Sequence, residues 1–280
     1  MNSSTKTIVL LPGFMLDDAL WDDFVPHLPR NWKVRRIALP RGRTVGEVAR
    51  GVAEQLAEPV VLVGFSMGGY IARALAAEYP QLVEALALVA TSARPERPAA
   101  LLPPAGVFAG LSRRAIQSSL NHDHANDQAL MDRVRAMSVR LGADAFVWQS
   151  ALDRTAVPLS EIACPTLVVA ASQDQLRSID EARELASAIP GARLEIIEGA
   201  GHLIPLEAAA SLADVLLDWL ENGNDRNDIA PNLMLRSGAM VLRPTRCPDE
   251  RVDCTVLQWT RPRARNLRSP GLATLLSPFG

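Results

Sequence analysis

Cysteine is scarce in this 280-residue chain: Cys164, Cys247 and Cys254 are the only three. They are too few for a dense disulfide framework, and no Cys-x-x-Cys or histidine-spaced zinc pattern includes them. A reducing, cytoplasmic home is therefore expected. Charge of one sign is also lacking. Twenty-nine Lys+Arg against thirty-one Asp+Glu leave a net −2, well mixed along the chain, which argues against a nucleic-acid surface or a polybasic membrane patch. Long hydrophobic runs are missing too. No stretch approaches the ~18–20 apolar residues that span a bilayer, and the run Ile8–Leu11 breaks at Pro12-Gly13 before it could serve as a signal segment. Chemistry on small molecules, without a membrane or nucleic-acid partner, is what remains.

Short runs rich in Val, Ile and Leu are plentiful: Thr7–Leu11, Val34–Ala38, Val60–Phe65, Ala85–Val89, Leu167–Ala171 and Leu194–Ile197. Most are near-continuous rather than alternating, as parallel strands covered on both faces are. Helical patterns lie between them at Trp21–Leu28, Val45–Leu56, Met67–Glu78, Ile179–Ile189 and Leu206–Leu220. The alternation predicts an α/β fold, a doubly wound and mostly parallel sheet of about six strands. One interruption, at about 93–160, carries helical signals at Ser112–Leu120, Asp127–Leu141 and Asp144–Leu152 and reads as a helical lid over the sheet. After residue 222 the period is lost. From Asn222 to Gly280 there are nine arginines, no lysine and six prolines, and a net +4 against −6 for the rest. Residues 1–222 are thus expected to form the domain, and 223–280 a low-order extension with too little apolar surface to offset its ordering entropy.

The strongest chemical signal is Gly64-Phe65-Ser66-Met67-Gly68, set between the run Val60–Phe65 and the helical pattern that follows. A serine on a sharp strand-to-helix turn projects above the sheet, and small residues two before and two after it avoid clashes. The helix N-terminus then offers the Met67 amide to an oxyanion. A serine needs a base. Of four histidines, only His202, in the loop after the last strand, falls at the carboxyl edge of the sheet beside the serine. His27 lies in the first helical pattern. His122 and His124 lie in the lid, where no third ligand is spaced to join them in a metal site. The carboxylate that orients the histidine is assigned to Asp174, after the strand Leu167–Ala171, with Asp180 as the alternative. The second oxyanion donor falls in Leu11-Pro12-Gly13-Phe14-Met15, with the Phe14 amide first and Met15 second. Lid residues Phe108, Met137, Phe146 and Trp148 are the expected wall of the acyl pocket.

With Gly-x-Ser-x-Gly, the acid loop and the histidine loop in that order, the chain resembles the α/β-hydrolase superfamily over about Thr7 to Glu221, and in particular its compact bacterial esterase-like members. Two departures stand out. Pro12 replaces the usual histidine before the oxyanion-loop glycine, and Pro40-Arg41-Gly42-Arg43-Thr44 is shorter than the common Gly-rich loop. The resemblance implies hydrolysis of a small carboxylic ester or thioester through an acyl-enzyme, with no cofactor or metal. Acyl transfer, carbon–carbon hydrolysis, perhydrolysis and non-catalytic ligand binding are alternatives on the same fold. Eight lid arginines against six acids suit an anionic substrate or an acyl carrier as well as they suit solvated helix faces.

Overall fold

The computed structural model describes residues 5–96, 98, 108–155 and 157–222. Six strands form one sheet: β1 (Thr7–Leu11), β2 (Lys33–Arg36), β3 (Val60–Phe65), β4 (Val83–Val89), β5 (Thr166–Ala171) and β6 (Arg193–Ile197). Their order is β2-β1-β3-β4-β5-β6, and every neighbouring pair is parallel. Order reverses at β1, where the chain first runs outward to β2 and then back to β3. That switch opens a crevice at the carboxyl ends of β1 and β3.

Alternate residues of the central strands feed two cores, which is why these strands read as unbroken apolar runs. Ile8, Leu10, Val61, Val63 and Val169 pack on one face with Trp21, Phe24, Leu216 and Trp219. Val9, Leu11, Leu62, Leu86 and Val168 pack on the other with Val48, Val52, Ile71, Leu75 and Leu185. The helices supplying the second face are α1 (Val45–Ala53), α2 (Met67–Glu78) and α5 (Ile179–Ala188). Thr44 caps α1 by accepting from the Glu47 amide at 3.1 Å. Ser178 and Glu181 close a reciprocal capping box on α5, so α5 starts at the end of the acid loop.

The lid leaves the sheet after β4 and returns at β5. It carries α3 (Arg113–Gln117) and α4 (Gln128–Ser150), the latter broken at Gly142 (φ 76°, ψ −178°). The two helical segments expected on either side of that glycine are both present and meet at the break, at a φ that glycine adopts freely. The part of the lid spanning 99–107 and the extension at 223–280 lie outside the described residues.

Two helical expectations are corrected. Trp21–Leu28 is not a helix but two 3-10 turns, Asp18–Trp21 and Val25–His27. Pro26 supplies no amide hydrogen, and Leu28, before Pro29, is extended at ψ 155°, as a residue preceding proline prefers. Leu206–Leu220 is divided into α6 (Ile204–Glu207) and α7 (Ala209–Asn222) at Ala208, φ −145° and ψ 45°. Among the described residues no helix is long and apolar enough to cross a membrane.

Candidate active site

Ser66 sits between β3 and α2 with φ 50° and ψ −113°. A serine adopts such angles only when its surroundings over-determine them. Its amide donates to the Val89 carbonyl at 2.8 Å, and its carbonyl accepts from the Thr91 hydroxyl at 2.9 Å. The turn is also tight on both sides. A Cβ on Gly64 would lie 2.6 Å from the Ala72 Cβ, and one on Gly68 would lie 2.5 Å from the Pro12 carbonyl oxygen. The hydroxyl caps nothing in α2 and is left to face the cleft.

His202 Nε2 lies 2.9 Å from Ser66 Oγ, and its Nδ1 lies 2.8 Å from Asp174 Oδ2. A carboxylate only accepts, so Nδ1 carries the hydrogen and Nε2 is free to accept the serine proton. The other Asp174 oxygen accepts from the Leu176 and Arg177 amides at 2.8 and 2.9 Å. This Asx-type turn fixes a carboxylate whose side chain is 1% exposed, and the polar partners make that burial tolerable. Asp180 is elsewhere: it is exposed in the first turn of α5 and pairs with Arg183 at 2.8 Å.

The histidine loop is fastened to the lid. Glu207, its side chain fully buried, accepts from the Gly201 amide at 2.9 Å and the Asn121 amide at 2.7 Å. Asn121 Nδ2 donates to the Gly199 carbonyl at 2.6 Å, and the Leu203 amide to the Ser119 carbonyl at 3.2 Å. His124 Nδ1 is 3.4 Å from Glu207, while His122 contacts Gln173 and lies 3.0 Å from Asp123. Neither reaches the serine. No group of three or more His, Cys, Asp and Glu side chains capable of holding a metal occurs among the described residues.

Phe14 and Met67, the residues expected to offer amides to an oxyanion, both line the cleft with Ser66. Met67 opens α2 and its N–H has no preceding helical turn to bond. Of the two candidates on the β1 loop, Met15 (φ 56°) donates its amide to Gln149 Oε1 at 2.7 Å. That leaves Phe14, whose amide has no acceptor among the hydrogen bonds of the described residues.

The cleft above Ser66 has a volume of about 320 Å³. Its apolar wall is Leu16, Leu111, Ala115, Val134, Leu176 and Leu203, with Phe14, Phe65, Ser66, Met67 and His202 at the base. Phe108, Met137, Phe146 and Trp148 are absent from this lining, so the expected acyl wall is corrected. Met137 is 2% exposed in the core, and Trp148 borders a separate depression beside Arg41 and Glu47. Phe146 packs 5.7 Å from the Phe14 ring and 5.4 Å from the Phe108 ring. Size suggested these residues, but smaller ones on α3 and on α4 before Gly142 face the serine instead.

Arg154, one of the eight lid arginines, and Arg177, which the sequence reading missed, also line the cleft. Both contact the Glu96 carboxylate. Burial would raise the pKa of Glu96, but the charges and hydrogen bonds of Arg177 and Arg154 outweigh it and hold the carboxyl below its ordinary value. Arg177 stands three residues after Asp174, so its neighbourhood was readable from the acid assignment alone.

Residues 8–215 match the family model described as "Alpha/beta hydrolase family". The chain is 28% identical over 249 residues to the pimeloyl-[acyl-carrier protein] methyl ester esterase of Neisseria meningitidis, covering 80% of this chain and 96% of that protein. It is 26% identical over 254 residues to monoacylglycerol lipase ABHD6 of Mus musculus, covering 76% and 75%. Among solved structures, the enol-lactonase of Burkholderia xenovorans LB400 matches with TM-score 0.69 at 24% identity, covering 78% of this chain and 92% of that one. A thermophilic esterase of Thermogutta terrifontis matches with TM-score 0.66 at 25% identity, covering 77% and 89%. A parallel sheet that reverses at β1, a strained serine where β3 turns into α2, and a family match over most of the chain lead to one conclusion: this protein belongs to the α/β-hydrolase family.

Proposed function

We propose that the protein is a serine hydrolase of carboxylic esters, with Ser66 as nucleophile, His202 as general base and acid, and Asp174 as its orienting carboxylate. The observation that carries this reading is the hydrogen-bonded series Ser66–His202–Asp174 at the base of a mostly apolar cleft. His202 Nε2 takes the hydroxyl proton as Ser66 Oγ bonds to the ester carbonyl carbon. The carbonyl oxygen becomes an oxyanion held by the Phe14 and Met67 amides, a contribution worth ~10²–10³ in rate per donor. As the carbon–alkoxide bond breaks, the imidazolium returns the proton to the leaving alcohol. Water then repeats the sequence on the acyl-enzyme, releasing the acid and restoring Ser66. This chemistry draws on protein groups alone.

A second reading, a methyl ester of an acyl chain borne on a carrier protein, is supported by the name of the Neisseria relative. Of the eight lid arginines, Arg94, Arg133, Arg140 and Arg154 are ion-paired within the chain, with Glu181 and Glu184, Asp23, Asp17 and Glu96, while Arg113, Arg114 and Arg135 are exposed with no acidic partner among the described residues. Arg97 lies outside the described residues. Free small esters are the primary reading because the apolar cleft above Ser66 is the feature that the site itself offers a substrate. A cytoplasmic place of action belongs to the proposal, supported by the low cysteine content. The experiment is a panel of p-nitrophenyl and methyl esters from acetate to decanoate, compared with a methyl ester on an acyl carrier. Turnover that disappears in Ser66→Ala supports the reading, and turnover that survives in Ser66→Ala overturns it.

A further inference from the structure

Arg154 and Arg177 reach the cleft from different segments, the end of the lid and the loop that bears Asp174. Each guanidinium meets one oxygen of Glu96, their only carboxylate partner among the described residues. Arg154 Nη2 donates to the Gln149 carbonyl at 3.0 Å and lies 3.6 Å from Met67 Sδ, beside the nucleophile, while its Nε is buried with no partner. Arg177 lies 5.9 Å from the centre of the Tyr70 ring, and a third arginine, the buried Arg73, lies 4.2 Å from it. Burial pushes the Arg73 guanidinium down to about 10, which still leaves it charged near neutrality, and burial pushes the Tyr70 hydroxyl up. Arg154 and Arg177 thus share one carboxylate, beside a neutral phenol and the buried Arg73. Their neighbour Arg94 pairs with Glu181 and Glu184, away from the cleft lining, so among these arginines only Arg154 and Arg177 face the cleft. Buried guanidinium groups do not shed their protons, and an unbalanced buried cation is costly. Two guanidinium groups that line the cleft and share a single carboxylate retain donors for an anion that enters with the substrate.

We propose that the cleft is built for esters carrying a carboxylate, which Arg154 and Arg177 receive while the connecting chain lies on Leu16, Leu111, Val134 and Leu203. This rests on the ester-hydrolase reading of Ser66 and adds the class of substrate to it. The planar guanidinium fork matches a carboxylate in geometry as well as charge. The simplest such compounds are half-esters of dicarboxylic acids: hydrolysis breaks their one ester bond, adds water across it, and releases the diacid and the alcohol.

The test compares monomethyl esters of the acids from succinate to suberate with methyl esters of the corresponding primary amides, which keep length and lose charge. At the best chain length the acid-to-amide ratio of kcat/KM is expected at about 10- to 100-fold, the range of a charge-assisted hydrogen-bonded pair. Arg177→Gln and Arg154→Gln should each lower that ratio about tenfold, and Arg177→Lys, which keeps the charge without the fork, should retain part of it. A purely structural role would depress both substrates in parallel and leave the ratio unchanged. A wild-type ratio near one, or a ratio untouched by both Gln variants, overturns the proposal even if methyl esters are turned over. If neither substrate is turned over, the ester reading has failed, and calorimetric titration of adipate against adipamide decides the anion site. Adipate binding that weakens in Arg177→Gln supports it, and equal binding of the two, or of neither, overturns it.

Discussion

Gly68→Ala should separate the geometry of the oxyanion pocket from the triad itself. The added Cβ would lie 2.5 Å from the Pro12 carbonyl oxygen and 2.6 Å from that of Leu11. Both are backbone atoms at the end of β1, so no side chain can rotate away. Relaxing to the ~3.3 Å of a close C–H···O contact requires α2 and the β1 loop to separate by about 0.8 Å. The Phe14 and Met67 amides stand on opposite sides of that contact. A misplacement near 1 Å costs ~10²-fold in rate, comparable to losing one oxyanion donor. We therefore expect kcat to fall about 10²-fold, with KM changed only a few-fold because the apolar wall is untouched. Overpacking should also cost about 1–3 kcal/mol, a Tm decrease of about 3–10 °C for a domain this size. Steady-state kinetics on p-nitrophenyl butyrate with thermal melting provides the assay. Gly191→Ala is the control: at φ +69°, with nothing within 4 Å of the added carbon, it should lower Tm through backbone strain and leave kcat alone. A Gly68→Ala enzyme with kcat within threefold of wild type would refute the two-amide geometry.

In a pH–rate assay of ester hydrolysis, Asp174→Asn should lower kcat by ~10⁴ through loss of the correct imidazole tautomer. Asp180→Asn should match wild type in the same pH–rate assay. Stability should fall on the acid side through Glu96. Its folded pKa lies below the ordinary 4.5, so its stabilisation is complete above that value and is lost as pH falls through the folded one. Urea melts of Glu96→Gln should show a flatter acid limb and a loss of about 1–3 kcal/mol at neutral pH, from unpaired Arg154 and Arg177. For the chain boundary we propose that residues 223–280 are dispensable, so a protein ending at Asn222 should keep its turnover and its melting transition.

The sheet was legible because covered parallel strands must be apolar on both faces: the expected Thr7–Leu11 and Val60–Phe65 match β1 and β3 residue for residue. The edge strand β2 was displaced, since Lys33–Arg36 is half exposed and carries three basic residues. The serine turn was legible for a related reason, that its steric demand writes glycine at 64 and 68. Asp174 and His202 were readable as residues of loops at the carboxyl edge, and the structure brings both within hydrogen-bonding distance of their expected neighbours. The cleft wall was not readable. Which face of α3 and α4 meets the serine depends on the break at Gly142 and on the Glu207 and Asn121 hydrogen bonds between lid and histidine loop, contacts 78 to 86 residues apart in sequence. For the same reason Glu96, Arg154 and Arg177 look like ordinary surface charges until the fold brings them together.

The central claim is that Ser66 is an activated nucleophile. Its most direct test is the site of covalent attachment after brief exposure to a fluorophosphonate, read by peptide mass spectrometry. The account predicts one adduct per chain, on the peptide containing Gly64-Phe65-Ser66-Met67-Gly68, absent in Ser66→Ala and greatly slowed in His202→Ala. An adduct on another residue, or none in a folded protein, would contradict it.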